Sequence, residues 1–321
     1  MTSILVRARP IMYQFLIRQV FHYDSRTARQ FARTAVRLSC HAVRMIPFIA
    51  SPPPIPVSVM GLNFPNPVGL AAGFDKNGSL TGSLGPAGFG FVEIGTITPD
   101  RPTKRNDGIA VMISNLKRTR SRRLSGPGQL LGVNVGSVRT TFSEELIDDF
   151  ISAMEVVWDQ ADYLTINLSS PHGWAHAAGV SELEVQTLLE RIKDRHDSLS
   201  ARSGQRLPIT VKVAVTGDPI HPAVHIARDL GFDALTVETR RADPSNLVCS
   251  QIRELAATLS PTALISVGGI TSVDSAWRRL EAGAALVQLY TGLVEQGPFL
   301  ARRIVRDLHA RYARQRRDIS S

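Results

Sequence analysis

Five short runs carry side chains or bared backbone groups able to hold or deprotonate a small polar molecule. In Tyr163-Leu-Thr-Ile-Asn167-Leu-Ser169-Ser170-Pro171, an amide and two hydroxyls follow an aromatic and β-branched run that a proline ends. An amide at such a point grips a ligand, and a hydroxyl takes a proton from it only if its own proton is relayed onward. Lys212 interrupts the apolar run Ile209 to Val215, where an ammonium needs an anion or a lone-pair partner to be buried. Lys76, in Gly73-Phe-Asp75-Lys76-Asn77-Gly78, is placed to meet a carboxylate as a point charge. Ser266-Val-Gly268-Gly269-Ile270 and Tyr290-Thr291-Gly292 bare their backbone N–H groups, which suits a phosphate. Each run also has a plainer reading: a capped strand end, a lysine reaching solvent, a solvated loop, glycines in tight turns.

What separates the two readings is the set of elements that carries them. Val57 to Leu62 is expected to form a short strand, Asn63 to Pro67 a turn, and Val68 to Ala72 a buried strand ending at Gly73. Phe91 to Gly95 ends in Thr96, and apolar runs ending in polar residues follow around Asn134, Asn167, Lys212, Thr239, Gly268 and Tyr290. Helical stretches separate many of them, at Ser143–Trp158, Glu182–His196, Pro222–Leu230, Asn246–Leu259 and Asp274–Ala282. Strand and helix alternating about eight times is the pattern of an α/β fold of the closed parallel (β/α)8 type, whose carboxyl-end loops all face one mouth. No G-x-G-x-x-G follows a first strand, which counts against a dinucleotide-binding Rossmann domain.

Upstream, Met12 to Leu38 mixes Phe15, Leu16, Val20, Phe21, Phe31 and Val36 with five arginines at helical spacing, an amphipathic basic pair of helices. Such a pair suits a membrane surface or simple packing on the barrel. Ser51-Pro-Pro-Pro-Ile-Pro56 is a stiff linker, so residues 1–50 are expected to form a short N-terminal helical domain and residues 51–321 the barrel.

Composition bounds the rest. The 321 residues, 43% hydrophobic, suffice for one large core, and Cys40 and Cys249 provide neither a disulfide framework nor a metal cluster. No metal is expected. The formal charge of +9 favours polyanionic neighbours, whether nucleic acid or anionic lipid. No apolar run is long enough to cross a membrane, and Arg7 and Arg9 break the start of the chain before it can resemble a cleaved export signal.

Taken together, these blocks resemble the membrane-associated, quinone-dependent class of dihydroorotate dehydrogenases along most of the chain. The matching blocks are Phe15 to Phe31, Met60 to Gly78, Gly88 to Pro99, Gly132 to Gly136, Tyr163 to Pro171, Ile209 to Ala214 and Val267 to Gly292. The resemblance implies a TIM barrel that binds FMN and oxidises dihydroorotate to orotate in pyrimidine biosynthesis. It also implies an N-terminal segment that docks peripherally on the cytoplasmic side of the cell membrane and admits quinone. By motif position it implies flavin contacts at Ala72, Gly73, Thr96, Asn134, Asn167, Lys212, Gly269, Tyr290 and Thr291, and pyrimidine contacts at Lys76 and Asn167. Ser170 takes the place of the catalytic base.

The departures concentrate on the substrate. Where the family has a long arm folding over the pyrimidine, this chain has a shorter interval containing Lys117-Arg-Thr-Arg120-Ser-Arg-Arg123, so the lid is absent or replaced. His172 stands in place of an asparagine, and Glu238 in place of a neutral amide, where a carboxylate would repel an anionic ligand. The glycine-rich phosphate loop expected after Thr239 is missing. The alternatives are a barrel that has lost or changed its chemistry and, among basic flavin barrels, a reductase of uridine in transfer RNA. That reductase would need a cysteine near Ser169 or Ser170, which the sequence lacks, so nucleic acid is not the expected partner.

Overall fold

A computed structural model of the chain describes residues 30–32, 34–36, 38, 52–81, 84–99, 108–123, 128–170, 174–176, 180–215, 221–239 and 245–320. Two strands, β1 (Val57–Val59) and β2 (Leu62–Phe64), pair antiparallel, with Val57 opposite Phe64. The single strand expected from Val57 to Leu62 is therefore a hairpin, turned at Met60 and Gly61, both of which adopt positive φ.

Eight further strands close a barrel: β3 (Val68–Leu70), β4 (Phe91–Ile97), β5 (Leu130–Val135), β6 (Tyr163–Asn167), β7 (Ile209–Val215), β8 (Ala234–Thr239), β9 (Ala263–Val267) and β10 (Leu286–Leu289). Each is parallel to its neighbours, and β10 pairs with β3 to close the ring. The expected (β/α)8 architecture is the observed one. At the amino end of the strands the barrel is filled by rings, with Phe91 packed edge-on to Phe64 of the hairpin at 5.2 Å and Tyr163 6.4 Å from both. Gly69 and Gly132 make room for them: a Cβ on either would fall within 2.2 Å of the Phe91 or the Tyr163 ring. Bulk at the bottom leaves the polar groups to the top.

The helices follow local signals. Between β5 and β6 lies α2 (Glu144–Val157), capped by Ser143, whose side chain accepts from the N–H of Leu146; α1 (Ile109–Arg123) precedes it between β4 and β5. After β6, α3 (Glu182–Ser203) opens on a Ser181/Glu184 capping box and stops at Gly204, which is left-handed at φ 66°. It runs about two turns past the expected His196, because the polar residues beyond that point line its outer face. Then come α4 (Ala223–Asp229), α5 (Ser245–Leu259), α6 (Val273–Glu281), α7 (Thr291–Gln296) and α8 (Leu300–Ser320). Described residues between 30 and 38 are helical, with Ala32 and Val36 buried in the main core, whereas residues 1–29, 33, 37 and 39–50 of the expected N-terminal domain lie outside the described residues. Among the described residues no helix is long and apolar enough to cross a membrane.

Candidate active site

Register brings the chemistry-bearing residues together. Parallel pairing sets Gly95 beside Asn134, Asn134 beside Thr165, and Asn167 beside Lys212, while Ala214 faces Glu238 one layer further up. All of these strands end at the same mouth, so side chains 38 to 71 residues apart in sequence come into hydrogen-bonding contact.

The contacts form a continuous line. Asn167 Nδ2 donates to Thr96 Oγ1 at 2.7 Å, and Thr96 Oγ1 donates to Asn134 Oδ1 at 2.7 Å. Asn134 Nδ2 in turn donates to Glu93 Oε1 at 2.9 Å. On the other side, Asn167 Oδ1 accepts from the backbone N–H of Ser169 at 3.0 Å and lies 2.9 Å from its hydroxyl. That hydroxyl is 2.8 Å from Glu238 Oε2, the oxygen that also meets Lys212 Nζ at 2.8 Å.

Lys212 therefore has the anion its burial requires. Its side chain is 8% exposed and Glu238's is 43% exposed, so the pair bridges the barrel interior and its mouth. The carboxylate expected to repel an anionic ligand is paired with a cation. Ser170 is half-buried and lines a small cleft with Ser137, Arg139, Asn167 and Trp174. Within that cleft Ser137 Oγ donates to Asp149 at 2.5 Å, and Arg139 Nε meets the same carboxylate oxygen at 3.2 Å. A hydroxyl bonded to a buried carboxylate thus lines the same cleft as the expected base.

Lys76 is half-buried in the turn after β3 with Ala72 and Gly73, and that turn is pinned by Asp75, which accepts from the N–H groups of Ser79 and Leu80. The interval holding Lys117 to Arg123 forms the second half of α1, which sits over this turn: Asn115 Nδ2 donates to Asn77 O at 2.8 Å, and Leu116 packs where a Cβ on Gly78 would be 3.0 Å away. In place of an arm, a helix is tied to the Lys76 loop. At the far side Gly268 and Gly269 hold φ of 101° and 67°, and a Cβ on Gly292 would lie 2.1 Å from Ile270 O. The Gly269 loop and the Tyr290–Thr291 loop are thereby locked backbone against backbone, and Tyr290 stands edge-on to Phe74 at 6.1 Å. His172 and residues 240–244, which replace the glycine-rich loop, lie outside the described residues.

Three buried residues of the site escape a reading of the sequence. Glu93 collects four donors, Arg279 donates to Thr239, Ser266 and Gly268 O at 3.3 to 3.4 Å, and Gln288 donates to Glu93 at 2.8 Å. Only Glu93, a carboxylate inside an apolar strand, leaves a signal.

An FMN ring would suit this mouth. Asn167 and Lys212 offer amide and ammonium N–H groups to its carbonyls, Thr96 holds the Asn167 amide in place while its own hydrogen goes to Asn134, and Gly73 and Gly136 carry no side chain at the rim. A Cβ on Gly136 would fall 2.7 Å from Thr96 Cγ2, inside that same rim. Asn134 is fully buried, so its place is behind Thr96.

A closed parallel barrel with its amides, hydroxyls and ammonium gathered at the carboxyl ends of the strands is a (β/α)8-barrel enzyme. The family profile described as dihydroorotate dehydrogenase matches residues 55–104 and 246–312. A relative named dihydroorotate dehydrogenase (quinone), from Stenotrophomonas maltophilia strain K279a, is 33% identical over 94% of this chain and 97% of its own. One of the same name from Acidovorax sp. strain JS42 is 37% identical over 79% and 86%. Among solved structures, dihydroorotate dehydrogenase from Eimeria tenella in complex with ferulenol superposes with a TM-score of 0.73 at 25% identity, covering 89% of this chain and 91% of the other. The chain belongs to the dihydroorotate dehydrogenase family, in its quinone-dependent branch. The stretch the profile passes over, 105–245, contains Lys117 to Arg123, His172 and Glu238, where the sequence departs from the family pattern.

Proposed function

We propose that this chain oxidises dihydroorotate to orotate with FMN as its flavin and quinone as the final electron acceptor. The observation that carries the reading is the unbroken line of contacts from Thr96 through Asn167 to Lys212, beside a serine that opens on a polar cleft. FMN, when bound, supplies the acceptor for the hydride leaving C6 of the substrate. Ser170 takes the proton from C5 as its own hydroxyl proton passes on, and Ser137, bonded to Asp149 in the same polar cleft, is the group toward which that proton would be relayed. Asn167 orients the ring, Lys76 meets the substrate carboxylate, and Lys212 sets a positive charge beside the flavin, moderated by Glu238. Ala72, Gly73, Gly269, Tyr290 and Thr291 are assigned to the flavin and its phosphate. Residues 1–50 are assigned to a peripheral membrane-docking unit through which quinone enters, and 51–321 to the barrel.

Relatives at 33 to 37% identity over most of the chain do not favour a barrel that has lost its chemistry. Nor does the site favour a uridine reductase: Cys249 is in α5 with its Sγ against Arg278 O, well apart from the contacts of Ser169, and Cys40 lies outside the described residues. The test is an absorption spectrum of the purified protein with FMN added. Bands at about 450 nm that survive gel filtration are the expected result, and their absence would end the flavin reading.

A further inference from the structure

The line of hydrogen bonds at the mouth has a direction, and its origin is a residue that touches neither flavin nor substrate. From Ser169 through Asn167 and Thr96 to Asn134, each group donates toward the next, and the last donates into Glu93. Glu93 is fully buried inside the barrel, where its second oxygen also faces Tyr163 OH at 3.2 Å, Thr165 Oγ1 at 3.1 Å and Gln288 Nε2 at 2.8 Å. Burial first, and then the Glu93 carboxylate, push the Tyr163 phenol well above its ordinary range, so that it stays a donor.

An amide side chain fits its cavity equally well in two orientations; only its partners choose between them. A carboxylate accepts and cannot donate. Glu93 Oε1 therefore obliges Asn134 to turn its NH2 inward and its carbonyl to Thr96. Thr96 has one hydrogen and spends it on that carbonyl, so its lone pair must take the N–H of Asn167. Asn167 is thereby fixed with its carbonyl on the Ser169 N–H and its NH2 toward the rim.

We propose that Glu93 is a positioning residue that sets the orientation of both amides, and through them the donor face that the mouth presents to FMN. The proposal rests on the flavin reading above. Reversing the line would bring the Asn167 NH2 against the Ser169 N–H, donor against donor, and leave that backbone N–H without its acceptor.

The test is a cycle of isosteric variants in the full-length chain, read by titration of flavin-stripped protein with FMN. Asn134→Asp sets two carboxylates face to face and should weaken FMN binding by about 10- to 100-fold, the cost of leaving a buried polar group opposed by its neighbour. Adding Glu93→Gln turns the inner partner into a donor. Its new amide N–H can meet the carboxylate introduced by Asn134→Asp, which still accepts from Thr96, and the outer half of the line is restored. The double variant should recover to within about fivefold of wild type. Glu93→Gln alone can present either an acceptor or a donor to Asn134, so the orientation is no longer imposed and FMN binding should fall, though by less than in Asn134→Asp. Recovery in the double variant supports the proposal, since a merely space-filling Glu93 gives no such rescue. A double variant as weak as Asn134→Asp, or an Asn134→Asp that binds FMN normally, overturns it. Wild type that binds no FMN would instead remove the flavin reading itself, and circular dichroism of each stripped protein separates loss of binding from loss of fold.

Discussion

Replacing Glu238 by asparagine should move stability and orotate affinity in opposite directions. The carboxylate sits 2.8 Å from Lys212 Nζ, with the lysine side chain 8% exposed and its own 43% exposed. Such a pair lies between an exposed one, worth close to nothing, and a buried one, whose breaking costs several kcal/mol. Glu238→Asn should therefore cost about 1 to 3 kcal/mol and lower the midpoint of thermal unfolding by a few degrees in ligand-free protein. The same change removes a negative charge from the mouth and frees Lys212 for an incoming anion. At about 5 Å and an effective dielectric of about 40 to 80, one such charge is worth roughly 0.8 to 1.7 kcal/mol, or about a 4- to 16-fold tighter orotate complex. Titration with orotate, followed by perturbation of the flavin spectrum, reads the affinity, and differential scanning fluorimetry reads the stability. Destabilised protein with unchanged or weaker orotate binding would refute the reasoning, because Glu238 would then be a structural partner of Lys212 with no bearing on the ligand.

Tyr163→Phe should cost about 1 kcal/mol at neutral pH by removing one hydrogen bond to Glu93. Because the folded pKa of Tyr163 is raised above the unfolded value, its contribution is complete below about pH 10 and is lost as pH rises through the folded pKa; the variant should lose less stability than wild type above about pH 10 in urea titrations. Gly268→Ala puts a Cβ 2.1 Å from the Thr239 carbonyl at a φ of 101°, so it should release FMN on gel filtration even where the barrel still folds. Removing residues 1–29, which stops short of the buried Ala32 and Val36, should leave the barrel intact and abolish its flotation with anionic liposomes; unchanged flotation would move the membrane contact elsewhere.

The barrel is legible in the sequence because its strands announce their ends. Polar residues at or near the ends of apolar runs, at Thr96, Asn134, Asn167 and Thr239, mark the carboxyl rim, and the helical stretches from Ser143 and Glu182 are found where their periodicity places them. The hairpin at Val57–Phe64 reads as one strand because Met60 carries the turn with positive φ, a conformation its side chain does not advertise. Helix α1 is hidden because its second half reads as a charge cluster, although Met112 and Leu116 are buried beneath it. The pairing of Lys212 with Glu238 depends on register between β7 and β8, and the four partners of Glu93 lie 41 to 195 residues away. Local pattern names such residues as polar intrusions; only the closed ring says what they meet.

The central claim meets its most direct test in anaerobic stopped-flow mixing of the FMN-loaded protein with dihydroorotate. The flavin band at about 450 nm should bleach, and a soluble quinone should then restore it. Ser170→Ala should retain the band and bleach about 100-fold more slowly or slower still, the usual contribution of a positioned base. A flavin that a chemical reductant bleaches but dihydroorotate leaves untouched, in wild type and in Glu238→Asn alike, would contradict the assignment.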